Sequence, residues 1–392
     1  MPSTREDKGS ERLRVLLITR NLPPLRGGME RLNLHMIREL AREFDVAVVG
    51  PQGSRALLPD AVSLVGVAAA PLWKFFAGAF SRGIAAARRF RPDVVLAGSG
   101  LAAPFAWMAA RCARARCVVY VHGLDLIAEH PVFRWFWRPF IRRADQCIAN
   151  SANTAALARS IGIDAWRIVI VHPGVDMPPD EAGTNDFRAR FELGERPLLL
   201  SVGRLIARKG LLEFVENALP AIAGRFPDVC MVVLGDETPE LLQGSSIGLG
   251  DRIRERAAAL GIAGNVRFIG PQDDATLAEA YRAADAHVFP VRDTPGDVEG
   301  FGMVAVEAAA HGLPTVAFAV GGVPDAILDG ISGHLVAAGD YAHMAERTME
   351  LLEARATAPM RESSCEFAKR FEWTNFGTLL REHIRKAGTQ GG

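Results

Sequence analysis

Short apolar runs rich in β-branched residues alternate along this chain with longer stretches of helical periodicity. In the first half the predicted strands are residues 14–19, 46–49, 62–67, 94–97, 117–122, 147–150 and 168–171. After a polar, proline-containing patch the alternation restarts, with predicted strands at 198–202, 229–234, 266–269, 286–289 and 315–318. Repeated strand–helix alternation predicts parallel sheets with helices on both faces, and its repetition predicts two doubly wound, Rossmann-like α/β domains in tandem.

The length of the chain supports the same division. A chain of 392 residues is longer than one hydrophobic core ordinarily serves. We predict an N-terminal domain over 1–180, a hinge near 176–196 and a C-terminal domain over 195–370.

Composition and charge exclude several classes of protein. The formal net charge is zero, which argues against nucleic-acid binding through bulk charge. The five cysteines form no CxxC pair, and Cys117, Cys147 and Cys230 lie in apolar runs, as buried strand residues of a reducing compartment do. The N-terminal segment MPSTREDKGSER lacks the apolar core of a signal peptide, and no run of eighteen apolar residues occurs. These features predict a protein of the cytosol or of the membrane surface that faces it.

Polar residues and glycines follow several predicted strands, where parallel sheets bind their ligands. Gly27-Gly28 follows the first strand at a helix start, which suits either an anion site or a tight loop. It is not the dinucleotide-binding GxGxxG pattern. His122-Gly123 lies at the carboxyl end of the fifth strand. The histidine either faces a ligand or has a structural role. In the second half, Arg204 and Lys209 flank a loop that enters a helix. The two cations either form a diphosphate site or belong to a solvated basic loop.

The stretch DVEGFGMVAVEAAAHGLP, residues 297–314, carries two glutamates eight positions apart. A helix starting near Gly302 leaves Glu299 in the preceding loop and places Glu307 on the helix. Carboxylates accept hydrogen bonds from neighbouring hydroxyls, so the pair suits a ligand with two polyol parts. The alternative is one exposed loop acid and one surface helical glutamate, but the helix is apolar nearly all round, and a buried glutamate needs a partner.

The order and spacing of these motifs resemble a GT-B-fold retaining glycosyltransferase of family four, a class that uses nucleotide-sugar donors. The resemblance covers nearly the whole chain. It rests on Gly27-Gly28, His122-Gly123, Gly203-Arg204 with Lys209-Gly210, Glu299-Gly300-Phe301-Gly302 with Glu307, Gly312-Leu313-Pro314, Gly321-Gly322-Val323-Pro324 and Gly330-Ile331-Ser332-Gly333. It implies two domains that face each other across a cleft, with a last helix, about 372–388, that returns to the first domain.

The resemblance also implies a role for each motif. Arg204 and Lys209 hold the donor diphosphate, Glu299 binds hydroxyls of the transferred sugar, and Glu307 binds the ribose. The remaining implied positions are His122 near the sugar, Gly27 and Gly28 near the phosphate and acceptor, Gly270 and Gln272 near the base, and Gly300, Phe301 and Gly302 in the donor loop. We expect Glu299, His122, Arg204 and Lys209 to be the catalytic residues.

The mechanism that the resemblance implies is metal-independent front-face transfer with retention, without a cofactor. No DxD motif occurs, so Arg204, Lys209 and a helix N-terminus must neutralise the leaving diphosphate. Two departures from the family pattern leave the donor sugar open. His172-Pro173-Gly174 stands where many members have Pro-Asn-Gly, and Val291 with a longer loop, 292–298, follows Pro290 where many have serine.

A basic, aromatic segment suggests how an acceptor is reached. Residues 71–143 contain twelve Lys or Arg against three acidic residues. Within them VFRWFWRPFIRR, residues 132–143, is predicted to place Phe133, Phe136, Trp137, Phe140 and Ile141 on one helical face beside Arg134, Arg138 and Arg142, with a kink at Pro139 if it is one helix. The segment suits docking to an anionic membrane, or a core-packed helix with solvated arginines.

These observations predict a cytoplasmic enzyme, peripheral at the inner face of the cytoplasmic membrane. It transfers a hexose from a UDP- or GDP-sugar to a membrane lipid, a lipid-linked glycan or a polysaccharide precursor. The alternatives are a non-hydrolysing nucleotide-sugar epimerase, against which the Glu299/Glu307 spacing and the Arg204/Lys209 pair argue, and an inactive GT-B scaffold.

Overall fold

The computed structural model of the protein describes residues 12–25, 27–179, 186–236, 248–354 and 358–389. They form two compact units: unit 1 runs to Pro173 and resumes at Trp373, and unit 2 spans Gly174–Glu372. The division lies two residues before the predicted hinge, 176–196, of which residues 180–185 fall outside the described residues.

Unit 1 contains a seven-stranded sheet in which every pair of neighbouring strands is parallel. Its strands are β1 (Arg14–Ile18), β2 (Asp45–Pro51), β3 (Ser63–Val67), β4 (Val94–Ala97), β5 (Arg116–Val121), β6 (Gln146–Ala149) and β7 (Ile168–Ile170). Their spatial order is β3-β2-β1-β4-β5-β6-β7. Helices cover both faces of such a sheet, and so its central strands, such as β4 with all four residues buried, are continuous apolar runs.

The helices of unit 1 connect successive strands, and a last helix closes the unit. They are α1 (Gly28–Ala41), α2 (Leu72–Phe90), α3 (Ala103–Ala113), α4 (Leu124–Ile127), α5 (Arg138–Arg142), α6 (Ala152–Ser160) and, from the chain's end, α16 (Trp373–Thr389). Helix α16 packs on α1, where Trp373 stacks on His35 at a ring separation of 3.9 Å. Arg381 is buried there and bonds the Glu39 carboxylate.

Unit 2 contains a six-stranded sheet, also parallel throughout. Its strands are β8 (Leu198–Val202), β9 (Cys230–Leu234), β10 (Val266–Phe268), β11 (Ala286–Phe289), β12 (Thr315–Phe318) and β13 (Gly333–Val336), in the order β10-β9-β8-β11-β12-β13. The helices are α7 (Phe187–Arg190), α8 (Leu211–Asn217), α9 (Leu219–Arg225), α10 (Leu249–Ala259), α11 (Asp274–Ala283), α12 (Met303–Ala310), α13 (Val323–Ala326), α14 (Tyr341–Ala354) and α15 (Ala358–Ala368).

The two-sheet prediction is confirmed, with one strand missed. Strand β13 follows the turn at Gly330 and itself begins with glycine, so its short apolar run resembles the end of a loop. It pairs with β12 so closely that a Cβ on Gly333 would lie 1.9 Å from the Thr315 carbonyl oxygen. Glycine is therefore required at a position where a strand pattern favours a larger residue.

The three cysteines predicted to be buried lie in strands β5, β6 and β9. Burial in apolar surroundings raises the pKa of all three thiols, that of Cys147 to about 12. They are therefore protonated core side chains at neutral pH, as the sequence indicated.

Candidate functional site

Strand order in unit 2 reverses between β8 and β11. The strand that follows β8 in the chain, β9, lies on one side of it, and β11 lies on the other. The loops that leave the carboxyl ends of β8 and β11 therefore diverge at this point, which is where open α/β sheets bind ligands. These loops, 203–210 and 290–302, contain most of the residues predicted to hold the donor.

Glycines bring the two loops together. Gly210 has φ +70°, and a Cβ on it would lie 1.9 Å from the Pro290 carbonyl oxygen, so the end of the β8 loop touches the start of the β11 loop. Gly235, after β9, approaches Gly203 equally closely. Only glycine at positions 210 and 235 permits these two contacts.

A buried charge cluster joins the two loops. Lys209 donates from Nζ to Oε2 of Glu299 at 2.8 Å, and Arg208 donates from Nη1 to the same oxygen. The Nε of Arg208 lies 2.9 Å from Oδ1 of Asp297. Lys209 also lies over the ring of Phe289, 4.6 Å from its centroid. The cluster thus brings together two predicted residues, Lys209 and Glu299, and two that were not predicted.

Burial and charge act in opposite directions on these groups. Burial opposes ionisation of Glu299, but Lys209 and Arg208 outweigh it and lower the pKa of its carboxyl to about 2. Burial lowers the pKa of Lys209, which Glu299 partly offsets. Burial likewise raises the pKa of Asp297, against the influence of Arg208. Glu299 is therefore a fixed anion at neutral pH.

Arg204, the other predicted diphosphate ligand, is exposed at the start of the β8 loop. It lies with Gly203, Lys209, Phe289 and Pro290 around a pocket at the carboxyl ends of β8 and β11. Two cations beside one small pocket can bind an anion that enters it.

The Glu299 loop is held by a second glycine pair. The amide of Gly322 donates to the Glu299 carbonyl oxygen at 2.8 Å, and Cβ atoms on Gly321 and Gly322 would lie 2.5 and 2.1 Å from the carbonyl oxygens of Glu299 and Gly300. These glycines therefore support the loop. The side chain of Phe301 is buried in the core, so this predicted donor-loop residue can offer a ligand only its backbone.

Glu307 lies on α12, which begins at Met303 after Gly302, as predicted. It is half-buried, and the hydroxyl of Tyr281 donates to its Oε2 at 3.3 Å. The Tyr281 ring stacks on His311 at 5.3 Å. Glu307 therefore has the partner that a half-buried carboxylate requires, and its assignment to the ribose stays a prediction.

The residues predicted near the base follow β10 at the same edge of the sheet. The Gly270 carbonyl oxygen accepts from the Gly235 amide at 3.2 Å, which ties this loop to the one after β9. Gln272 is exposed, and its amide bonds the Ile269 carbonyl oxygen. Gly270 has φ +82° with open space around its Cβ position.

His122 lies in unit 1, where strand order reverses between β1 and β4. Its Nε2 donates to the Gly98 carbonyl oxygen, 3.1 Å away, after β4. The Asp125 carboxylate accepts from the amides of His122 and Gly100. The Nε2 bond orients the imidazole, and the Asp125 carboxylate ties the backbone of His122 to that of Gly100.

Gly27 and Gly28 start α1 and are exposed, but a carboxylate lies beneath them. Glu30 is buried in the first turn, and its Oε2 would lie 2.6 Å from a Cβ on Gly27. Its other oxygen accepts from the Asn21 amide at 2.9 Å. Glu30 therefore already interacts with the positive end of α1 that a bound phosphate would use.

The basic, aromatic segment is helical without a break over residues 131–142. Phe133–Trp137 form a π-helical turn within it, and α5 continues directly from that turn, with Pro139 as the second residue of α5. The aromatic face divides accordingly: Ile141 is buried, whereas Phe136 and the neighbouring Trp135, which the pattern did not place on that face, are 49% and 77% exposed.

Helix α2 extends this aromatic surface. Its Phe76 ring lies 5.2 Å from that of Trp137, so α2 and the π-helical turn are neighbours. Trp73 and Phe80, two helical turns apart on α2, are both exposed. We call Trp73, Phe80, Trp135 and Phe136 the exposed aromatic surface. Lys74, Arg134 and Arg142 are exposed on the same two segments.

Sequence reasoning missed Arg208 and Asp297. The available signal was position: Arg208 directly precedes Lys209, and Asp297 precedes Glu299 by two residues, the spacing that turns side chains to one side of an extended strand. Charged neighbours in loops are common, so this signal has little specificity without the fold.

The described residues contain neither a metal-binding cluster nor a membrane-spanning helix. Residues 12–25, 27–179, 186–236, 248–354 and 358–389 contain no cluster of three or more His, Cys, Asp or Glu side chains able to hold a metal. Across the same ranges no helix has the length and apolar character needed to span a membrane.

Comparison with known proteins connects these features to one family. Residues 184–371 match the model described as glycosyl transferases group 1, and residues 26–177 match the model described as glycosyltransferase family 4. A D-inositol 3-phosphate glycosyltransferase of Mycobacterium marinum is 36% identical over 254 residues, 63% of this chain and 51% of the relative. A D-inositol 3-phosphate glycosyltransferase 2 of Catenulispora acidiphila is 38% identical over 240 residues, which are 59% of this chain and 53% of the relative. The chain thus spans about half the length of these curated relatives.

Solved structures share the fold. Anabaena Alr3699/HepE in complex with UDP-glucose superimposes with a TM-score of 0.78 and 19% identity, over 95% of this chain and 100% of the other. The sucrose-phosphate synthase of Thermosynechococcus elongatus superimposes with a TM-score of 0.77 and 20% identity, over 97% of this chain and 100% of the other. At such identities the likeness concerns the fold alone.

Proposed function

We propose that this protein is a retaining glycosyltransferase, because the chain belongs to the GT-B-fold glycosyltransferases of family four. It moves a hexose from UDP- or GDP-hexose to a membrane lipid, a lipid-linked glycan or a polysaccharide precursor. The observation that carries the proposal is the buried Lys209–Glu299 pair beside Arg204, at the point in unit 2 where strand order reverses.

The chemistry of this pair suits a nucleotide sugar. The bonds from Lys209 and Arg208 both end on Oε2 of Glu299, so Oε1 is the oxygen that can accept from a sugar hydroxyl. Lys209 and Arg204 provide positive charge next to the pocket, where a leaving diphosphate gains charge in the transition state. Cations that do this fit a reaction without a metal cofactor.

The exposed aromatic surface of unit 1 supports a membrane-bound acceptor. Tryptophan and phenylalanine rings insert at the lipid interface, while Lys74, Arg134 and Arg142 attract anionic head groups. We therefore place the enzyme at the cytoplasmic face of the membrane as a peripheral protein.

The curated relatives favour a second acceptor. Those reported above are named D-inositol 3-phosphate glycosyltransferases, and they match this chain at 36–38% identity over about half of their own length. A soluble phosphorylated polyol is therefore the alternative acceptor, and it would not need the aromatic surface.

Two measurements test the proposal. A thermal-shift screen of UDP-, GDP- and ADP-hexoses identifies the donor, since a ligand at 100 times its dissociation constant stabilises the fold by about 2.7 kcal/mol. Transfer assays then compare an anionic lipid extract with inositol phosphate, and NMR of the product gives the anomeric configuration. Transfer to lipid with retention agrees with the proposal, and inversion contradicts it. An epimerised nucleotide sugar formed without acceptor indicates the epimerase, and no binding of any nucleotide sugar indicates a scaffold.

A further inference from the structure

The loop between Pro290 and Glu299 contains a tight turn. Asp297 donates its amide to the Thr294 carbonyl oxygen at 3.0 Å, and Gly296 between them has φ +76°. Proline followed by a glycine with positive φ is the signature of a type II turn, here Pro295-Gly296. The turn reverses the chain, and Asp297 is buried although Asp293 at the start of the loop is exposed.

Buried Asp297 meets the guanidinium of Arg208 from the neighbouring loop. Its Oδ1 lies 2.9 Å from Arg208 Nε, and the side chains are 7% and 10% exposed. Arg208 also bonds Glu299 through Nη1, and its carbonyl oxygen accepts from the Arg292 amide at 2.9 Å. Arg208 therefore contacts the 292–299 segment at its first residue, at Asp297 and at its last.

We propose that Asp297 and Arg208 are positioning residues that set the direction of the Glu299 carboxylate toward the donor sugar. The proposal rests on the proposed function, which assigns sugar hydroxyls to Glu299.

The two cations that bind Glu299 differ in shape. A lysine ammonium is a point charge on a flexible stem, so Lys209 can neutralise Glu299 but does not fix its plane. A guanidinium is planar, so an ion pair with Asp297 at its Nε edge limits the directions in which Nη1 can point. Arg208 then holds Oε2 in one place, which turns Oε1 in a defined direction.

The expected consequence is specific to the sugar. Asp297→Asn and Arg208→Lys should leave the affinity for UDP or GDP alone within about twofold, because neither residue binds the nucleotide in this proposal. The gain in affinity from UDP to UDP-hexose, or from GDP to GDP-hexose, should fall about tenfold, as an interaction in one network does when its partner changes. Turnover should fall with it.

The experiment is calorimetry on the full chain with the nucleoside diphosphate and the nucleotide hexose that the parent binds, together with donor KM and kcat. Asp293→Asn is the matched control for Asp297→Asn, since it makes the same change at an exposed position of the same loop. Arg292→Lys is the control for Arg208→Lys. Both controls should behave as the parent does.

The possible outcomes distinguish a failure of the proposed function from a failure of the positioning role of Asp297 and Arg208. If the parent binds no nucleotide sugar, the proposed function fails and this inference falls with it. If the parent discriminates sugar from bare nucleotide and both variants do so equally well, the inference alone is overturned. Thermal unfolding of each variant checks folding, and Arg208→Lys, which keeps the charge, provides the test should Asp297→Asn unfold. If the double variant loses no more discrimination than the worse single variant, the two residues act through one contact.

Discussion

The two sheets reverse their strand order in the same way, but the chemistry at the two reversal points differs. In unit 2 the loops there enclose a buried cluster of charged side chains, Lys209, Arg208, Glu299 and Asp297. In unit 1 the contacts of His122 at the corresponding edge are with the Gly98 carbonyl oxygen and, through its amide, with Asp125. The first arrangement suits recognition of a charged ligand, and the second suits orientation of one imidazole.

A buried charge cluster is costly unless every member is paired, because each ion loses its hydration. Removing one member leaves another uncompensated, so substitutions in the unit 2 cluster should have larger effects than those in unit 1. The comparison therefore predicts an order of effects.

The largest effect is expected at Glu299. Glu299→Gln keeps the size of the side chain but removes the charge that Lys209 and Arg208 bind, and turnover should fall about 1,000-fold. Initial-rate assays with the donor found in the thermal-shift screen measure it, with Glu195→Gln, an exposed acid of unit 2, as the control. Turnover within about tenfold of the parent would reject the catalytic role, since that is only about 1.4 kcal/mol of barrier.

The two cations at the pocket come next. Lys209→Ala and Arg204→Ala should each lower kcat/KM about 100-fold through lost stabilisation of the leaving diphosphate. Arg252→Ala on α10, another exposed arginine of unit 2, should change it little. Added EDTA should not reproduce the loss. Inhibition by EDTA that magnesium or manganese reverses would contradict the metal-free mechanism.

A smaller effect is expected at Glu307. Glu307→Gln retains an acceptor for the Tyr281 hydroxyl but removes the charge, and donor affinity should fall about tenfold with kcat nearly unchanged, as for lost uniform binding. Calorimetry with the donor and with its bare nucleotide should show the same loss for both. An unchanged nucleotide affinity would exclude the ribose assignment.

The pH dependence sharpens the comparison further. The pKa of Glu299 is lowered to about 2, so its ion pairs contribute fully above the unfolded pKa and are lost only as pH falls toward about 2. Donor affinity of the parent should therefore be insensitive to Glu299 titration from about pH 8 to about pH 5. The Lys209→Ala variant loses one of the two cations that oppose the effect of burial, so the pKa of Glu299 should rise. Its donor affinity should then fall several-fold as the pH is lowered over that range.

This pH experiment needs a control for the second acid. Asp297 has a raised pKa, and Arg208 and Arg204 also influence it. Repeating the titration in the Asp297→Asn background isolates Glu299. Parallel pH profiles for Lys209→Ala and the parent would contradict the assigned cause of the low pKa.

The smallest effect on turnover is expected from the exposed aromatic surface. Trp135→Ser with Phe136→Ser should reduce co-sedimentation with anionic vesicles several-fold but change turnover on a soluble acceptor by less than about twofold. The control is Trp166→Ser, an exposed tryptophan of unit 1 on another segment. Binding should weaken as salt rises, because attraction to the surface fades within about 10 Å at 0.1 M salt. If the double variant, the control and the parent bind the vesicles equally well, these side chains belong to an ordinary solvated surface and do not dock to a membrane.

The strands show how far pattern reasoning reached. Central strands such as β4 and β11 are buried on both faces, so each is a short apolar run that the sequence displays directly. Strand β13 was missed because its glycine is required by contact with β12, a constraint from another part of the chain. The site divides in the same way: Lys209 and Glu299 belong to recognisable motifs, whereas the importance of Arg208 and Asp297 appears only when the two loops meet.

The sequence by itself determined the fold class and the residue types at the donor loops, because strand periodicity, glycine spacing and family motifs are local properties of the chain. Tertiary structure alone decided which charges share a partner. Arg208 and Asp297 are 89 positions apart, and their contact depends on Gly210 lying against Pro290. The same holds for the aromatic surface, where packing on Phe76 buried part of Trp137 and left Trp135 in solvent. Contacts between distant segments arise from the packing of the folded chain, and no local pattern contains them.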